Sequence, residues 1–91
     1  MTETKLLVGS LSNDLFRVAS LTQRGSTNAA LRFTQEAKRW AQPLQDSKVP
    51  PYIAKIAEEV SIASESEISL EQAEKYLMYG VLLQNYALHM E

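Results

Sequence analysis

The chain has 91 residues, 45% of them apolar, a formal net charge of −2 and no cysteine. A domain of this length can bury a thin core, and the apolar fraction is too high for a disordered chain. The lack of cysteine excludes disulfides, thiolate catalysis and Cys-based zinc sites, and the small net charge gives no overall attraction to nucleic acid or anionic lipid.

The start of the chain predicts neither a targeting segment nor a membrane anchor. The apolar run at residues 6–8 is too short for a signal peptide, and no stretch approaches the ~18 apolar residues of a membrane span. We therefore expect a cytoplasmic protein that does not bind membranes. Residues 1–91 are predicted to form a single helical domain, with residues 1–10 as a partly extended or flexible N-terminal arm.

Residues 11–44 carry an amphipathic pattern that keeps one phase at ~100° per residue. Its apolar side is predicted to be core and holds Leu15, Ala19, Ser26, Ala30, Phe33, Ala37, Trp40 and Leu44. However, residues 25–28 are poor helix formers, and an unbroken helix would be about 50 Å long, which exceeds a compact domain of this size. We favour a break or kink with Gly25 ending one helix; one continuous helix covered by a partner is the alternative.

Two further helices are predicted. After a proline-bounded turn, a helix beginning at Pro51 places Ile53, Ile56, Ala57, Val60 and Ala63 on one face, and residues 64–67 end it. The last helix has Ser69 as N-cap, with Gln72 three residues later in a capping box, and runs to about His89. The predicted fold is all-α, a small antiparallel bundle of three helical segments, or four if the first is broken near Gly25.

The residue inventory argues against enzymatic chemistry. A metal site needs several converging ligands, and the chain has a single histidine, His89, close to its last residue. Without cysteine, and with one histidine in this position, the usual nucleophile–base arrangements are not available. No phosphate-binding loop, dinucleotide-binding pattern or EF-hand is present. We therefore expect no enzymatic activity, no metal and no cofactor.

The last helix gives the clearest pointer to function. Residues 76–83 are apolar on every side, as in a helix that is central in a bundle or covered by another chain, and Gly80 permits close approach of a neighbour. Tyrosine and methionine are favoured at interfaces. The sequence predicts a non-enzymatic interaction module that forms a homodimer through this helix. The predicted interface comprises Tyr76, Met78, Tyr79, Val81, Leu82 and Tyr86.

A basic stripe on the first segment supports an alternative function. It comprises Arg17, Arg24, Arg32, Lys38 and Arg39. Such a stripe could contact phosphates, which would make the chain a nucleic-acid-binding or regulatory domain, although we favour a solvated or ion-paired face as the explanation. Residues 1–48 carry a net charge of +3 and residues 49–91 carry −5. This asymmetry is typical of halves that pack together or against a second copy.

Overall fold

The computed structural model describes residues 3–63 and 68–90. These residues form four helices and no strand: α1 (Glu3–Gln23), α2 (Thr27–Gln45), α3 (Pro51–Ser61) and α4 (Leu70–Leu88). The predicted all-α bundle is confirmed in its four-helix form. Within the described ranges, no helix is long and apolar enough to cross a bilayer.

The predicted break at Gly25 separates α1 from α2. Gly25 has φ 81°, a left-handed conformation that glycine adopts without the steric cost of a Cβ. Its N–H donates to the carbonyl of Thr22 at 3.1 Å, and the N–H of Ser26 donates to that of Leu21 at 2.9 Å. These two bonds form a Schellman motif, which satisfies carbonyls that the helix end would otherwise leave unpaired. Ser26 lies exposed in this turn, so its predicted core position is wrong.

The expected extended or flexible arm at residues 1–10 is corrected from residue 3 onward. The first two turns of α1 include Leu7 and Val8, and both side chains are buried. These turns are helical because their apolar positions join those of Leu11 and Leu15 on one helix face. Residues 1–2 lie outside the described part of the chain.

The predicted starts of the last two helices are confirmed. Pro51 is the first residue of α3, and the Ser69 hydroxyl accepts a hydrogen bond from the N–H of Gln72 at 3.0 Å. The side chain of Gln72 does not complete the capping box; it donates to the Tyr76 hydroxyl at 3.0 Å. Pro43 lies inside the last turn of α2 and does not end that helix. The segment 64–67, predicted to end α3, lies outside the described residues.

The central element of the bundle is α1, which packs between α2 and α4. Both neighbours run antiparallel to it: Asp14 bonds Trp40 and Arg17 lies over Phe33, while Lys5 bonds the carbonyl of Met90, just after α4, and Ser12 bonds Gly80. α3 packs against α2 and also contacts α4 through side chains. Fully or almost fully buried side chains of the core include Val8, Leu11, Leu15, Val18, Ala37, Ala41, Leu44, Ile53, Ala57, Val60, Tyr76 and Leu83.

Candidate protein interface

Small residues on one side of α4 bring it close to α1. Ala73, Gly80 and Ala87 recur at seven-residue spacing, and all three are buried. The Gly80 carbonyl accepts a hydrogen bond from the buried Ser12 hydroxyl at 2.7 Å. A Cβ at Gly80 would lie 2.9 Å from the nearest ring carbon of Phe16. The predicted close approach at Gly80 is therefore confirmed, and the neighbour is α1.

The tyrosines of α4 face inward and toward α3. Tyr76 is 2% exposed, so its place in the predicted interface is wrong: it belongs to the core, and burial raises the pKa of its hydroxyl. Tyr79 and Tyr86 are half-buried. The Tyr79 hydroxyl donates to the Glu59 carboxylate, and the Tyr86 ring meets that of Tyr52 edge-on with centroids 6.4 Å apart.

A polar cluster between α3 and α4 holds these tyrosines in place. The hydrogen bond from Tyr79 keeps the pKa of Glu59 below its usual value, and Lys75, whose Nζ lies 3.6 Å from a carboxylate oxygen of Glu59, acts in the same direction. Burial, followed by the bond to Glu59, raises the pKa of Tyr79. Tyr79 is thus a protonated hydrogen-bond donor at neutral pH, and its hydroxyl forms this hydrogen bond within the chain.

The solvent-facing side of α4 carries large apolar side chains near both ends and in the middle, with the exposed Glu74 and Asn85 among them. Its exposed large apolar side chains are between 38% and 70% accessible and comprise Leu70, Leu77, Met78, Val81, Leu82 and Leu88. We call this set the α4 face. The structure thus places Met78, Val81 and Leu82 of the predicted interface on the surface. Leu70, Leu77 and Leu88 were not predicted, although their separations of seven and eleven residues are typical of one helical stripe.

One shallow groove extends the α4 face toward α1. It lies between the end of α4 and the first turns of α1 and includes Leu6, Gly9 and Leu88. Leu6 is 52% exposed, and a Cβ at Gly9 would meet no atom within 4 Å. The apolar surface therefore continues from α4 onto its neighbour, and the groove beside Gly9 is open.

The predicted basic stripe is divided between two helices and the turn that joins them. Arg24 lies in that turn, and the guanidinium of Arg17 lies 5.1 Å from the centre of the Phe33 ring. Arg32 and Arg39 border one depression on α2, and Glu36 lies between them. Lys38 leaves the stripe: its Nζ donates to the carbonyl of Ala63, after α3, at 2.7 Å. These five residues do not form one continuous cationic surface.

A carboxylate that the sequence did not predict to be buried lies between α1 and α2. Asp14 is 4% exposed, and one of its oxygens accepts a hydrogen bond from the indole Nε1 of Trp40 at 2.9 Å. Burial raises the pKa of Asp14; the bond from Trp40 and the charge of Arg17 oppose this shift, and the charge of Glu36 adds to it. Asp14 couples the central helix to α2 and is almost fully buried.

The opposite charges of the two halves are not neutralised by ion pairs between described residues. The salt bridge between Lys75 and Glu59 joins two residues of the acidic half. Arg24, Arg32 and Arg39 form no ion pair with any residue in 3–63 or 68–90. In the same ranges, no three histidine or acidic side chains are grouped so that they could hold a metal ion.

Comparison of the chain with protein-family models, with curated proteins and with solved structures found no match.

Proposed function

We propose that this chain is a non-enzymatic interaction module that forms a homodimer through the α4 face. The observation that supports the proposal is that α4 carries six exposed large apolar side chains, of which Leu82 borders α3 and Leu88 borders α1. Isolated apolar residues are common on protein surfaces, whereas several large apolar side chains exposed on one helix are typical of a contact site. The proposal includes a cytoplasmic location, which the lack of cysteine fits.

The position of α4 in the bundle supports this proposal. An apolar helix can be covered by its own chain when it is central, but here α1 occupies the centre and α4 lies at the edge. α1 and α3 pack against two sides of α4, so the remaining face has no cover within the described residues. Burying this face against a second copy would remove apolar surface from water. The burial would stabilise the dimer by about 25 cal/mol per Å² of apolar surface, before the costs of association are subtracted.

Substitution of Leu77 with glutamate tests the proposed homodimer. Light scattering and sedimentation equilibrium should give a dimer mass for the original chain at micromolar concentrations and above, and the dimer should persist at high salt because its contacts are apolar. Leu77→Glu should weaken self-association by about 100-fold, which corresponds to about 2.7 kcal/mol.

The matched control is Gln42→Glu, which adds the same charge at an exposed position of α2 and should leave the dimer intact. Circular dichroism should show that both variants keep the helical content of the original chain. A strictly monomeric original chain, or a Leu77→Glu variant that dimerises as well as the control, would disprove the proposal.

Nucleic-acid binding is the second candidate, supported by Arg32 and Arg39, which are exposed and form no ion pair with a residue that the structure describes. We rank it below homodimerisation because Glu36 lies between these arginines and Lys38 points toward α3. We expect no binding of labelled DNA or RNA at about 50 mM salt, where phosphate contacts are strong. Binding that weakens steeply with salt and is lost in Arg32→Ala/Arg39→Ala would instead favour the second candidate.

A further inference from the structure

The exposed surface of α4 has nearly the same polarity pattern in both chain directions. Around a point between Tyr79 and Gly80, the exposed positions from 74 to 85 correspond apolar to apolar and polar to polar. The corresponding pairs are Leu77 with Leu82, Met78 with Val81, Glu74 with Asn85 and Lys75 with Gln84. Beyond these positions the correspondence ends, because Leu70 corresponds to His89 and Glu71 to Leu88.

We infer that α4 pairs with α4 of a second copy in antiparallel orientation, about a two-fold axis beside Tyr79 and Gly80; this inference rests on the proposed homodimer. In a two-fold contact, residue i of one copy meets residue j of the other and j meets i, so the surface must be complementary to itself. The antiparallel register meets this requirement along the helix axis: Leu77 lies at the level of the partner's Leu82, and Met78 lies at the level of the partner's Val81.

The charges on α4 favour this direction. In a parallel pair, Glu74 would face its own copy, and so would Glu71, giving repulsion between like charges. In the antiparallel pair, Glu74 faces the partner's Asn85, and the two Glu74 side chains lie about 16 Å apart along the helices at 1.5 Å per residue. That separation exceeds the screening length of about 8 Å at physiological ionic strength.

The groove beside Gly9 provides a second reason for the antiparallel register. Leu70 is 64% exposed at the start of α4, and the groove lies at the other end of the helix, beside Leu88. Antiparallel pairing brings Leu70 of each copy to the partner's groove, where Leu6 and Leu88 offer apolar surface.

The available apolar area suits a second copy of this helix. The six side chains of the α4 face present on the order of 600 Å² per chain, against roughly 800 Å² per partner in a standard interface. Leu6 and the flanking polar residues supply further area. The face runs the length of α4, about 28 Å at 1.5 Å per residue, so a partner helix of the same length would cover it.

Cross-linking through introduced cysteines tests the arrangement, because a chain without cysteine gives no background disulfides. The variants are Glu74→Cys and Asn85→Cys, both at exposed positions of α4, with Gln42→Cys on α2 as a control. Each is oxidised alone and in equimolar mixtures, and the products are identified by mass spectrometry of the joined peptides. Light scattering of the reduced samples gives the oligomeric state in parallel.

We expect the mixture of Glu74→Cys with Asn85→Cys to give at least tenfold more disulfide-linked dimer than either variant alone or any mixture with Gln42→Cys. Preferential links of 74 to 74 and 85 to 85 would overturn the antiparallel arrangement and leave the homodimer standing. A dimer mass without cross-linking at either position would place the contact elsewhere and overturn the inference. Monomers in every reduced sample would disprove both the inference and the proposed function.

Discussion

Replacing Gly80 with valine should lower the free energy of unfolding by about 3 kcal/mol, as overpacking of a tight helix contact does at the upper end of its usual range. A Cβ at this position would lie 2.9 Å from Cε1, 3.0 Å from Cδ1 and 3.2 Å from Cζ of the Phe16 ring. Valine adds two methyl groups to that Cβ, so either the ring moves or α4 separates from α1. The change is measured by urea unfolding followed by circular dichroism.

Three control variants distinguish overpacking from a general effect of replacing a helical glycine. Gly9→Ala should stabilise the fold by up to about 1 kcal/mol, since the helix gains propensity and the new methyl group meets no atom. Gly80→Ala should cost about 1–2 kcal/mol, because contact with the ring outweighs the same gain. In a chain that also carries Phe16→Ala, the cost of Gly80→Val should fall. An equal loss with and without Phe16 would contradict the assigned contact.

Replacing Trp40 with phenylalanine should cost about 2–3 kcal/mol at pH 7, the range expected when a charged acceptor loses its hydrogen bond. The substitution keeps an aromatic ring against the core but removes the indole N–H that Asp14 accepts at 2.9 Å. Because Asp14 is 4% exposed, water cannot readily replace that donor. The ionised carboxylate would then remain buried without this partner, at a large desolvation cost.

The pH dependence of this loss identifies its cause. Burial raises the pKa of Asp14 in the folded protein above its unfolded value of 3.8, so the folded state favours the protonated form. The contribution of Asp14 to stability therefore decreases as the pH rises from 3.8 through the folded-state pKa, and Trp40→Phe deepens that decrease. The variant should approach the original chain in stability near pH 3, where the Asp14 carboxyl is protonated in both proteins. In a chain that also carries Asp14→Asn, the effect of Trp40→Phe on stability should not vary with pH. If the loss of stability is independent of pH even when Asp14 is present, packing alone is responsible for it.

The break between α1 and α2 shows which sequence signal was decisive. The amphipathic phase of residues 11–44 continues through the turn and favoured one long helix, whereas the poor helix formers at residues 25–28 favoured two. The local signal was correct because Gly25 can adopt φ 81° and the following amides complete the Schellman motif. The phase was misleading because both helices face the same core, so their apolar positions align even though the chain reverses.

The tyrosines of α4 show why the candidate interface was only partly predictable. Tyrosine suits an interface because its hydroxyl tolerates water, but the same group can be satisfied within the chain. Glu59, which accepts from Tyr79, lies on another helix, so no spacing within α4 could reveal it. The hydroxyl of Tyr76 accepts from Gln72 one turn earlier, a local signal that was available. The burial of Asp14 depends on α2 covering it, which again is a property of the tertiary structure.

The central position of α1 has a consequence for the order in which the chain can fold during synthesis. The ribosome releases α1 and α2 first, and these two helices can form a hairpin at once. The flank of α1 that carries Ser12 cannot make its native contact until Gly80 is released, 68 residues later. Until α4 emerges, that flank, including the Phe16 ring, has no native cover. Nascent chains arrested before α4 should therefore expose apolar surface and be targets for chaperones, and the release of α4 should be the event that completes the core.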